Sequence, residues 1–373
     1  MPTIRLVNIT KQFSKGSKAV DKLNLTINDG DFVSLLGPSG CGKTTTLRMI
    51  AGLETPTEGD IYFDDKLMFS AEKGVNVSPD KRDVGFLFQN YALWPHMTVY
   101  RNIAFGLENM KWEKSKIDAR VKEICKTMRI EEYIDRYPAE LSGGQQQRVA
   151  IARTLAPNPK VLLMDEPLSN LDAKLRNDMR AELKRLHMTT GATFVYVTHD
   201  QSEAMTLSSK VCLLKLGVLQ QYCPPLQLYG EPENLFSADF MGNPSMNFVD
   251  CKGRKVGNKV ELRSAHFDVL FTPNDKVDLP EEEKDYVLGI RPEHLHIVEK
   301  GGLEGTVVSS LPTGMDTILA LAVEGITLSA VAFGSIDYAM DSKIRFDFEG
   351  DRYVLFDKET TNKISLGSLE IKK

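Results

Sequence analysis

"LLGPSGCGKTTTLRMIAG", residues 35–52, joins an apolar strand end to a glycine-rich turn, a lysine followed by threonines, and a helical pattern. Gly37 and Gly42 have four residues between them and are followed by Lys43 and Thr44, the spacing of a phosphate-binding loop. Backbone N–H groups in such a turn converge on one point, and the dipole of the helix it opens adds to the anion cradle they form. Lys43 adds a full positive charge, and the Thr44 hydroxyl is a ligand for Mg²⁺. Gly37, Pro38, Ser39, Gly40, Cys41, Gly42, Lys43, Thr44 and Thr45 are therefore the candidate nucleotide-binding loop. A plain glycine turn is the bland alternative, and here context and spacing both argue against it.

The chain has 373 residues, enough for two or more domains, each with its own core. The apolar fraction of 42% and charged fraction of 26% are those of a soluble globular protein. The opening "MPTIRLVNITKQF" has no extended apolar stretch, so no signal peptide is expected, and no apolar run reaches the roughly 20 residues of a membrane helix. Any work at a membrane then needs another chain to cross it. Five cysteines without a Cys-x-x-Cys pair argue against a disulfide framework or a zinc site and suit a reducing compartment. The net charge of −5, with neither half strongly basic, disfavours a nucleic-acid binder.

Short β-like runs, "IRLVNI", "FVSLL", "DVGFLF", "KVLLMD", "TFVYVTH" and "KVCLLKL", alternate with helical patterns to about residue 240, which predicts an α/β fold with a largely parallel sheet. Between residues 98 and 156 the strand signal vanishes, so an inserted helical subdomain is expected over about 91–156. Leu171, Leu175, Met179, Leu183 and Leu186 share one helix face and read as core. From 241 to 373, runs such as "KVELRS", "YVLGIR", "GTVVSSL" and "KIRFDF" between turn residues predict a small all-β domain. The first domain is thus expected over 1–240.

A phosphate loop alone leaves kinases, GTPases and many ATPases open. "VLLMDEP" narrows the choice: its strand ends in Asp165 and Glu166, one carboxylate for the metal side and one as general base for the attacking water. "LSGGQQQRVAIAR" narrows it further. Ser142 can cap a helix whose first N–H groups Gly143 and Gly144 leave open, a second phosphate-binding helix start with no lysine-bearing loop of its own.

With these motifs the chain resembles the ATP-binding-cassette ATPases, in which that signature, here Ser142, Gly143, Gly144 and Gln145, completes the ATP site of a facing subunit. The resemblance implies further stations. Gln89 links Mg²⁺ and water to a transport partner, Ser169 to Asp172 form the loop that crosses the dimer, and His199 contacts the γ-phosphate. Phe13 stands where an aromatic ring stacks on adenine. "QNYALWPHMTVYRNIAFGL", "DEPLSNLDAKLR" and "FVYVTHDQSEAMTL" are similar to the ATPase subunits of binding-protein-dependent sugar importers, over about residues 3–248 and again at "GIRPEHL", 289–295. The resemblance implies a C-terminal oligosaccharide-binding-like β-domain used for dimer contacts and regulation. It also implies a homodimer or paired ATPase subunits, two membrane permeases, an extracytoplasmic solute-binding protein served indirectly, and a peripheral place on the cytoplasmic face of the membrane. Polyamine, iron or sulfate importers are the near alternatives, and a non-transport cassette ATPase acting on nucleic acid is the distant one.

Two local features complete the reading. "LKLGVLQQYCPP" (214–225) has Leu216-Gly217 where relatives favour an acidic residue before glycine. Tyr91, Leu93, Trp94 and Met97 cluster after Gln89, where the resemblance implies a groove for a permease helix, with Trp94 as its anchor. Cys41, inside the loop, is either a small tolerated residue or a point where alkylation crowds the phosphates.

Overall fold

The computed structural model describes residues 2–14, 16–277 and 280–372. It divides into two compact units, Met1–Pro225 and Leu226–Lys373.

In the first unit a six-stranded sheet runs in the order Val218–Cys223, Lys210–Lys215, Phe32–Leu36, Thr193–Val197, Val161–Asp165, Val84–Leu87. Every pairing from Lys210–Lys215 to Val84–Leu87 is parallel. Phe32–Leu36, Val161–Asp165 and Thr193–Val197 are buried at every position, as expected of strands covered on both faces. "IRLVNI" departs from the parallel expectation. It belongs to Ile4–Ser14 in a separate antiparallel sheet, ordered Ser17–Ile27, Ile4–Ser14, Glu58–Phe63, Lys66–Ser70, Val75–Asn76. The neighbouring Ser17–Ile27 ends in strict buried and exposed alternation, the mark of an antiparallel sheet with one wet face.

Between the two sheets lies helix Lys43–Ala51, packed in one apolar cluster with Leu6, Leu25, Val33, Leu163 and Val195. Its C-terminal end is closed by a buried arginine. Arg82 donates from Nη1 to the carbonyls of Met49 (2.8 Å) and Ile50 (2.9 Å), and from Nε to Val77 (2.9 Å). Burial pulls its pKa down to about 10, yet the cation meets the negative end of the helix dipole. On the other sheet face, Val99–Asn109, Lys114–Met128 and Gly143–Leu155 build the helical part around a second core.

The second unit opens with short helices, Pro225–Gly230 and Leu235–Phe240, so the position near 240 lies at a helix end inside this unit. It continues as a closed six-stranded barrel and a five-stranded antiparallel sheet sharing one core. "KVELRS" and "YVLGIR" supply barrel strands Lys259–Arg263 and Lys284–Ile290. "GIRPEHL" is a fastening: buried Arg291 donates to the carbonyls of Tyr229 (2.8 Å), Ala238 (3.1 Å) and Met241, and its guanidinium lies 4.2 Å from the Tyr229 ring centre.

Candidate functional site

The parallel register brings four strand ends to one edge: Leu36 before Gly37, Leu87 before Gln89, Asp165 before Glu166, and Val197 before His199. Such an edge is where open α/β sheets bind ligands.

Gly37 has φ 148°, and a Cβ there would stand 2.2 Å from the Leu214 carbonyl oxygen. Gly42 caps the helix with φ 98°, where a Cβ would meet the Ala19 carbonyl at 2.3 Å. Both approaches are to backbone, so neither neighbour can swing aside. Lys43 folds back, its Nζ donating to the carbonyls of Gly37 (2.7 Å) and Pro38 (2.9 Å). Cys41 lies beneath, 2% exposed with Sγ 3.8 Å from Lys43 Nζ, and burial raises its thiol pKa despite the ammonium. Leu216 and Gly217 form the hairpin turn with φ 48° and 81°. That turn joins the loop, Gly217 N–H donating to the Cys41 carbonyl at 3.1 Å.

A cleft of about 210 Å³ runs from Ala19 and Ser39 over Lys43, Thr44 and Thr45 to Glu166. At its floor the Thr44 hydroxyl donates to Asp165 Oδ1 (2.7 Å), and Arg48 Nη2 lies 3.7 Å from Oδ2. Burial pushes the Asp165 carboxyl above the usual range, while Thr44, Arg48 and Lys43 pull it back. A hydroxyl and a carboxylate converging this way are the hard oxygen donors that suit Mg²⁺.

Glu166 is the hub of the edge. Its Oε2 accepts from Gln89 Nε2 at 3.3 Å and lies 3.3 Å from His199 Nδ1. Its backbone has φ 44°, a conformation that costs a non-glycine residue about 1–2 kcal/mol. Glu166 N–H donates to the Val197 carbonyl (3.1 Å), and the Ser169 hydroxyl holds the Glu166 carbonyl at 2.9 Å.

The remaining expected residues stand elsewhere. Ser142 and Gln145 form a reciprocal capping box, Gln145 Oε1 accepting from Ser142 N–H at 2.8 Å. A Cβ on Gly144 would meet Leu175 Cδ2 at 2.4 Å, while Gly143 faces open space. Among the described residues, no hydrogen bond links Ser142, Gly143, Gly144 or Gln145 to the phosphate loop. Asp172 caps helix Ala173–Thr190 by accepting from Leu175 N–H at 3.0 Å. Phe13 is 62% exposed, with Lys11 Nζ 4.9 Å from its ring centre.

The aromatic stretch after Gln89 is mixed. Tyr91 is core, 7% exposed, whereas Trp94 is half-buried, 4.3 Å from the Phe105 ring and 4.7 Å from the Arg153 guanidinium. Sequence reasoning missed Asn102, which accepts from Trp94 N–H (2.9 Å) and donates to the carbonyls of Trp94, Met97 and Thr98. It also missed Arg48, and Glu203, a buried carboxylate accepting from Tyr196 and Thr198 hydroxyls beside His199. Arg153 was legible only as the last letter of "LSGGQQQRVAIAR".

Against known proteins, family models match as "ABC transporter" over residues 20–169, "MalK OB fold domain" over 242–295 and "TOBE domain" over 288–356. The chain is 44% identical to the trehalose/maltose import ATP-binding protein MalK of Thermococcus litoralis, over 98% of this chain and all of that one. It is 46% identical to the sn-glycerol-3-phosphate import ATP-binding protein UgpC of Psychromonas ingrahamii, over 86% and 82%. It is 40% identical to the oligosaccharides import ATP-binding protein MsmX of Bacillus subtilis, over 98% and 100%. Among solved structures, the dimeric post-hydrolysis state of the ATP-binding cassette MJ0796 bound to ADP and Pi is 35% identical. It matches with TM-score 0.53 over 60% of this chain and 98% of that one.

Proposed function

The chain belongs to the ATPase subunits of ABC importers, and we propose that it drives the uptake of a sugar, using ATP gripped between two copies of itself. The cargo reading rests on relatives that import trehalose, maltose and oligosaccharides. Among the described residues no helix is long and apolar enough to cross a membrane, which fits a subunit that docks on separate permeases at the membrane face. A solute-binding protein outside the membrane then delivers the cargo.

The convergence of Gln89, Glu166 and His199 above the Thr44–Asp165 pair carries the chemical assignment. Mg²⁺, when bound, neutralises charge on the terminal phosphates, and Thr44, Asp165 and Gln89 are the residues that would hold it. Phe13 stacks on the adenine, and the loop N–H groups from Gly37 to Thr45 receive the phosphates with Lys43. Glu166 takes a proton from the attacking water, whose oxygen bonds to the γ-phosphorus as the bond to ADP breaks. His199 and Gln89 orient that carboxylate and the water. Ser142, Gly143, Gly144 and Gln145 of the second copy close over the γ-phosphate, with Asp172 at the crossing loop.

Glu166→Gln should bind ATP as tightly as the parent and turn over at least about a hundredfold more slowly, whereas Lys43→Ala should lose both binding and turnover. Equilibrium binding of a fluorescent ATP analogue and phosphate release measure the two. Near-parental turnover by Glu166→Gln would sink the assignment. Uptake of labelled sugar after reconstitution with the permeases tests the cargo separately, with polyamine, iron and sulfate as competing solutes.

A further inference from the structure

Arg153 lies near the end of helix Gly143–Leu155, whose first turn is the capping box of Ser142 and Gln145. Its two terminal nitrogens grip successive carbonyls of the segment after Gln89: Nη2 donates to Tyr91 at 2.7 Å and Nη1 to Ala92 at 2.6 Å. Both residues carry positive φ, 60° and 47°, and neither is glycine. A turn disfavoured for two side-chain-bearing residues in a row is thus held by one forked cation, whose planar geometry suits paired acceptors as a lysine would not. The same guanidinium lies over the Trp94 ring.

The other side of Trp94 belongs to a different helix. Phe105 and Asn102 are both on Val99–Asn109: the Phe105 ring lies against the Trp94 ring, tilted by 44°, and Asn102 binds the Trp94 backbone. Trp94 is therefore suspended between two helices, and any shift of one against the other is felt at its ring. A continuous helix of this length is a stiff element, so a displacement at Ser142 is carried along Gly143–Leu155 to Arg153.

We propose that Arg153 is a positioning residue that couples the signature end of its helix to the docking segment, so that gripping nucleotide at Ser142 re-sets Tyr91–Trp94. This rests on the reading of an ATP-closed pair. A mere brace for a strained loop makes a different prediction, and the difference is measurable. In that case relief of the strain restores everything; in ours it restores the fold and not the signal.

The chain has two tryptophans, so Trp112→Phe leaves Trp94 as the reporter. In the full-length protein carrying Trp112→Phe and Glu166→Gln, ATP with Mg²⁺ should shift Trp94 emission, and EDTA should reverse it. Adding Arg153→Met should abolish that shift while ATP affinity stays within about threefold and the melting temperature falls. Adding Ala92→Gly as well, which removes part of the backbone cost, should recover the melting temperature without recovering the shift. A shift that survives Arg153→Met, or that returns with Ala92→Gly, overturns the coupling role. No shift in the parent, while light scattering still reports ATP-driven closure, also overturns it and leaves the motor reading standing. Loss of both closure and shift in the parent defeats the motor reading and this inference with it.

Discussion

Glu166 combines three demands at one position: a carboxylate lining the cleft over the glycine-rich loop, a backbone in the left-handed region, and two polar neighbours from other strand ends. Strained backbone at a reacting group is retained only where the surroundings over-determine it, and the bonds to Val197 and Ser169 do that here. Cys41 shows how burial changes a reading made from spacing alone. Its thiol is covered and its pKa raised, so at neutral pH the reactive thiolate is scarcer than in a free cysteine, and the deficit shrinks as pH rises. Maleimide should therefore label Cys41 more slowly than a peptide thiol at pH 7, and faster at alkaline pH. ATPase activity should be lost in step with labelling, since the adduct displaces Lys43; mass-spectrometric mapping against residual activity checks both. The loop and the carboxylates were legible because their chemistry is local in sequence, a few letters that must stand together. Arg48 was not, because it meets Asp165 only after distant parts of the chain have folded together, and Glu203, though near Tyr196 and Thr198 in sequence, shows its burial only once the strand and the helix that follows it have packed.

Elements are fixed by groups far from them in the chain. Helix Lys43–Ala51 opens at the cleft lined by Lys43, Thr44 and Thr45, and its opposite end is finished by Arg82, which the sequence offers no means of assigning to it. Arg82→Met would take a donor from the buried carbonyls of Met49 and Ile50 and from the half-buried one of Val77, and the loss should be roughly 3 kcal/mol of first-unit stability. Arg82→Lys should recover only part of it, as one ammonium cannot span acceptors on two segments. Urea unfolding followed by circular dichroism gives the comparison; a loss below about 1 kcal/mol would mean that water replaces the guanidinium. The same lesson applies after Gln89, where the aromatic cluster was visible but its division was not. Tyr91 is core and Trp94 stays half-open, a difference decided by Asn102, Phe105 and Arg153. The Leu216-Gly217 hairpin turn forms without the acidic residue, since Gly217 is held from outside by the Cys41 carbonyl.

Across the whole molecule, the two units have separate cores and separate sheet systems, and they divide after Pro225, where the change of pattern in the sequence had suggested about 240. What neither sequence pattern nor local geometry joins is the capping box of Ser142 and Gln145 to this chain's own phosphate loop. That separation has a genetic meaning. If each site draws its loop from one copy and its signature from another, a defect is shared with whichever copy it meets. Co-expressing parent and Glu166→Gln chains in equal amounts should leave about a quarter of randomly paired molecules free of the variant. Uptake should then fall to about a quarter if the two sites act together, or to about a half if they act independently, with total protein unchanged. In the first case such a lesion is dominant in a cell that carries both alleles, and the parental gene cannot simply outvote it.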